Sequence, residues 1–125
     1  MLQFGNYLKN KMGNTPVFDP LNELQNNSFV EMTIFQITKD FARVSVLFSF
    51  EKDEKLELKT QLIAQIEKAI SNLTTIELQH FIYLIDIKEA DFLSAVQNSN
   101  FLKDLSEKIL YREAYKVFLR KYYTS

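Results

Sequence analysis

The only histidine in the chain, His80, stands three residues after Glu77. On a helix, positions i and i+3 share a face, and Glu-x-x-His is part of the ligand set of ferritin-like di-metal centres. Those centres need a second such pair and further glutamates from other helices. This chain has one pair. A homodimer would supply the second, but more glutamates must still converge. Glu77 also has a plainer use, because Thr74 and Glu77 make a T-x-x-E capping box. His80 then lies at the edge of a core. A serine–histidine–acid triad would also have to use His80, and no spacing singles out its partners. Sixteen acidic residues offer many carboxylate pairs, and sequence ranks none of them. No catalytic residue, metal or cofactor is expected.

Residues 21–125 contain no glycine, no proline and no cysteine. Phosphate loops and dinucleotide fingerprints need glycines where the backbone approaches a phosphate. A nucleophile elbow needs them for its sharp turn. None of these motifs fits into that stretch. With no cysteine there is neither a disulfide framework nor a thiolate metal site.

Lys108, Arg112, Lys116 and Arg120 repeat every four residues near the C-terminus, with Tyr111 and Tyr115 beside them. Cations interleaved with aromatics suit a nucleic-acid backbone and its bases. Cations near a helix C-terminus also complement its dipole, and Asp104, Glu107 and Glu113 interrupt the patch. Nucleic-acid binding is therefore the alternative reading. A helix-turn-helix around 98–100 is a poor match, since its second helix would open Phe-Leu-Lys-Asp.

Eleven phenylalanines and six tyrosines are the other notable feature. Between residues 28 and 50 they accompany two alternating apolar sets. Val30, Met32 and Ile34 alternate, as do Ala42, Val44, Val46, Phe48 and Phe50. Phe29, Phe35, Phe41 and Leu47 fall on the opposite face, where one layer of helices would leave them wet. They are the candidate anchors for a protein partner or a second copy. A folded-back N-terminal arm would cover them equally well.

The elements that must hold these residues read as follows. The β-branched and aromatic content of 28–50 predicts a β-hairpin, about 29–37 and 41–50. A competing pattern of steps of four and three, with Ser28 and Glu31 at capping-box spacing, reads as one long helix. The turn at 38–40 also lacks the glycine that tight hairpins favour. From Lys55 the signal is helical, with Leu58, Leu62, Ile66, Ile70 and Leu73 on one stripe. A second helix starts after Thr74, and its nearly all-apolar stretch 81–85 predicts the most buried helix. Asp86 and Glu89 suggest a short third helix to about Val96, and a last one spans about 101–122.

The second half resembles a group of uncharacterised short helical bacterial proteins over residues 74–123. The run Phe-Ile-Tyr-Leu-Ile-Asp-Ile-Lys-Glu at 81–89 is similar to their YRIDV-E segment. The run Glu-Lys-Ile-Leu-Tyr-Arg-Glu-Ala-Tyr-Lys-Val at 107–117 is similar to their ELIIEREL-K helix. Leu84 stands where that pattern has arginine. The resemblance implies helices and a bacterial source, and no activity.

At 125 residues the chain has the length of one domain, able to bury a core without staples. Residues 1–27, with all four glycines and prolines, read as an irregular arm, and 28–125 as a single globular domain. A net charge of -1 gives no general attraction to nucleic acid or anionic membrane. No run approaches the ~20 apolar residues of a membrane span, and the first residues lack a signal-peptide pattern. The expectation is an unexported, cytoplasmic α+β domain with a hairpin on about four helices, all-α being the alternative. Its expected role is a non-catalytic interaction or assembly module that self-associates through 28–50.

Overall fold

A computed structural model describes residues 23–123. Among them are five helices and no strand: α1 Asn27–Ala42, α2 Leu58–Ser71, α3 Thr75–Leu84, α4 Glu89–Val96 and α5 Phe101–Tyr123. The fold is all-α, which corrects the α+β expectation. Most of the arm expected at 1–27 lies outside the described residues.

The supposed first hairpin strand is α1. Its buried positions, Phe29, Val30, Thr33, Gln36, Ile37, Asp40 and Phe41, step by three and four. Helical spacing therefore outweighs β propensity here, because it gathers every large buried group onto one face. Asn26 caps the helix, its side-chain oxygen accepting from the Phe29 amide at 3.1 Å. The cap is not Ser28, as the capping-box spacing suggests. Thr33 and Thr38, both β-branched, donate their hydroxyls to the carbonyls of Phe29 and Ile34.

The helix ends before the second run of β-branched residues, and 46–53 is an extended segment without a strand partner among the described residues. Ser45 takes a positive φ of 62°, and Val46 donates back to the Phe41 carbonyl at 3.0 Å. This is the six-to-one bond of a Schellman ending. Asp86 does the same after α3, with φ 66° and a bond from Ile87 N–H to the Ile82 carbonyl. Two non-glycine residues thus hold left-handed positions in a body with no glycine to put there. Asp86 ends α3 and does not cap α4, whose N-cap is Lys88.

The capping box at α3 forms as expected. Thr74 N–H donates to Glu77 Oε1 at 2.8 Å, and Glu77 N–H donates to Thr74 Oγ at 3.1 Å. Thr74→Ala should lower stability by about 1 kcal/mol in urea unfolding, mostly by loosening the start of α3.

The central helix is α5, not α3. It packs on α1, α2 and α4, most extensively on α2. Its buried positions come in adjacent pairs every four residues, from Leu105 and Ser106 to Val117 and Phe118. That makes a stripe wide enough to meet several neighbours. The 81–85 stretch of α3 buries Phe81, Ile82 and Ile85 but leaves Tyr83 86% exposed. Phe41 stacks on Phe81 at 4.3 Å and on Phe48 at 5.5 Å, tying α1, α3 and the extended segment together. No helix among the described residues is long and apolar enough to cross a membrane.

Candidate functional site

Two buried acids stand out in the α1–α5 seam. Asp40 follows Gln36 by one turn of α1, and Glu113 lies between Ile109 and Val117 in the buried stripe of α5. Both carboxyl groups are buried, Glu113 completely. Lys116, one turn beyond Glu113, reaches both. Its Nζ donates to Asp40 Oδ2 at 2.9 Å and lies 3.1 Å from Glu113 Oε1. Gln36 Nε2 donates to the same Asp40 oxygen at 3.0 Å, and Arg120 donates to Gln36 Oε1. Arg43, more exposed, stands 4.0 Å from the other Asp40 oxygen.

The two carboxyl groups respond in opposite directions. For Asp40, burial favours the neutral form, but hydrogen bonds from Glu113, Gln36 and Lys116 and the Lys116 charge outweigh it. Its pKa is held below the usual 3.8. For Glu113, burial and the hydrogen bond to Asp40 raise the pKa, and the Lys116 ammonium only partly opposes them. It is pushed from 4.5 to about 8. Near neutral pH the pair holds one proton, on Glu113, beside an ionised Asp40. Taken as a carboxylate, Glu113 would have both oxygens buried without a hydrogen-bond donor, Lys116 being close but poorly aligned. A proton turns one oxygen into a donor for Asp40.

This arrangement resembles an acid–base pair in its chemistry, and perturbed carboxyls often mark function. Access argues otherwise, because a substrate cannot touch a side chain with no exposed surface. From sequence, Glu113 reads as an interruption of a basic patch, and nothing draws the eye to Asp40. The signal that finds them is register: each occupies a buried position of its helix.

The four cations of the C-terminal stripe do not form a common outward face. Lys116 is committed to Asp40 and Glu113, and Arg120 contacts Gln36. Arg112 Nε donates to the Ile85 carbonyl at 3.0 Å and its Nη2 to Asp86 at 3.1 Å, clamping the Schellman turn after α3. Lys108 pairs with Asp104 at 3.7 Å. A cleft of about 380 Å³ runs beside Lys108 and Arg112, lined also by Asp86, Asp91, Asp104 and Glu107. Both signs of charge meet there, so its field is mixed.

Of the four proposed anchors, two are accessible. Phe29 and Phe41 are core residues, which corrects their assignment to a contact surface. Phe35 is 69% exposed and Leu47 91%. Met32 joins Phe35 one turn earlier on the outer face of α1, between Glu31 and Lys39. His80 is exposed, and Glu77 spends its side chain in the capping box. Among the described residues no three metal-ligating side chains gather. No family model, curated protein or solved structure matches this chain.

Proposed function

We propose that the protein is a non-catalytic interaction module that self-associates through the outer face of α1 and the adjoining extended segment. The supporting observation is the exposure of Phe35 and Leu47, two large apolar side chains that the fold leaves in water. Met32 lies one turn before Phe35 on α1, and Glu31 and Lys39 flank them with charges of both signs. Aromatic and methionine centres with polar rims are the usual composition of protein interfaces. The burial of Asp40 and Glu113 favours a structural over a catalytic role for that pair.

Phe35→Asp and Leu47→Asp each place a charge at an exposed apolar position outside the buried core. In sedimentation velocity each should weaken self-association by at least about tenfold, a loss of roughly 1.4 kcal/mol. Unchanged sedimentation in both variants would remove this face from consideration. If the wild type is monomeric and binds short DNA or RNA at low salt, the basic stripe replaces it as the functional surface.

A further inference from the structure

We propose that Asp40 and Glu113 form a single-proton latch between α1 and α5, and that removing the proton releases α1 while the α2–α5 packing persists. The latch stands independently of the self-association reading. It rests first on geometry. The two buried carboxyls come from different helices and share one ammonium, Lys116 Nζ lying 2.9 Å from Asp40 Oδ2 and 3.1 Å from Glu113 Oε1, in a seam built largely from Phe29, Ile37, Val117 and similar side chains.

Among the described residues, the charges that face Glu113 are few. From α1 comes Asp40, with Arg43 behind it; from α5 comes Lys116, with Arg120 one turn further at Gln36. The buried side chains of α2, α3 and α4 are all apolar. With one proton on the pair, one carboxylate faces one ammonium. Without it, two buried carboxylates share that ammonium, and Glu113 has no aligned donor. Like charges in a dry seam repel strongly, and an unpaired buried carboxylate is costly. The strain falls across α1 and α5 because each helix carries one carboxyl. The more extensive α2–α5 seam holds no such pair.

The sign follows from linkage. The closed seam holds the proton up to about pH 8, whereas an exposed Glu113 loses it near 4.5. Latching is therefore complete below pH 4.5 as far as Glu113 is concerned, and is lost as pH rises towards 8. Within that window the opening constant of α1 should rise up to about tenfold per pH unit, then level off.

Hydrogen exchange measured from pH 5 to 9 on the full chain, corrected for intrinsic amide rates, tests this directly. The latch predicts that protection across 29–41 falls with pH up to about 8 while protection across 62–70 stays level. Glu113→Gln keeps the volume and supplies a donor that cannot ionise, so it should flatten the α1 profile. Protection of α1 that is level in the wild type would overturn the proposal. So would loss of α2 protection in step with α1, which would mean whole-chain unfolding. A folded Glu113→Gln variant that keeps the wild-type slope would overturn it too. The wild-type comparison of α1 with α2 decides the matter even if the variant does not fold.

Discussion

Replacing Lys116 with methionine should lower the unfolding free energy at pH 7 by about 3–5 kcal/mol, the usual loss when one partner of a buried ion pair is removed. Methionine keeps an unbranched apolar stem, so the change falls on the ammonium. That ammonium is 2.9 Å from Asp40 Oδ2 and 3.1 Å from Glu113 Oε1. Without it, an ionised Asp40 that is 2% exposed keeps, among the described residues, the Gln36 amide at 3.0 Å and the Glu113 proton as close donors. Asp40 then protonates more readily, so the deficit should shrink as pH is lowered towards 4. Urea unfolding at pH 7 and pH 5 measures both the loss and its recovery. Lys108→Met is the natural control. Its partner Asp104 is 3.7 Å away and 27% exposed, against 2% for Asp40, and pairs open to water contribute about 1 kcal/mol or less. Equal losses in the two variants would show that burial gives Lys116 no special weight.

Phe41→Ala should cost about 3–5 kcal/mol, the range for removing a fully buried aromatic side chain. Phe41 has no exposed surface and lies nearly parallel to both neighbouring rings, at 8° to Phe81 and 12° to Phe48. Its loss opens a cavity where three elements meet, and their backbones cannot all collapse into it. The stretch around Phe48 should loosen most, because it has no helical or strand hydrogen bonds of its own. Phe35→Ala supplies the opposite case. At 69% exposure it should change stability by no more than about 0.5 kcal/mol. Any effect it has should appear in self-association. Denaturant unfolding of the two alanine variants separates the core phenylalanine from the surface one.

The helices after residue 55 are legible in the sequence because their apolar residues recur at helical spacing and Thr74 and Glu77 mark a start. The 28–50 segment is not, because it joins two unlike pieces. Its first half satisfies alternation and helical spacing at once, and burial of Phe29, Ile37 and Phe41 on one face decides for helix. Its second half, with Val44, Val46, Phe48 and Phe50, is poor helix material and does leave the helix, but pairs with no strand among the described residues. Reading both halves as one motif produces the hairpin. It also places Phe29 and Phe41 with Phe35 and Leu47 on a shared face, which a helix separates. Asp86 misleads for a related reason. Its spacing from Glu89 fits a cap, yet a turn without glycine needs a residue that tolerates a positive φ, and Asp does so better than most. The buried pair is hidden by residue type. Acidic side chains are usually solvated, and only their register among Ile109, Val117, Ile37 and Phe41 places Asp40 and Glu113 inside.

The molar mass of the wild-type chain in solution, by light scattering across a micromolar concentration series, tests the assembly reading most directly. A weight-average mass rising above the 14.7 kDa of one chain towards that of two is the predicted result. A constant 14.7 kDa throughout the series would contradict it and leave Phe35 and Leu47 as exposed residues without a self-association role.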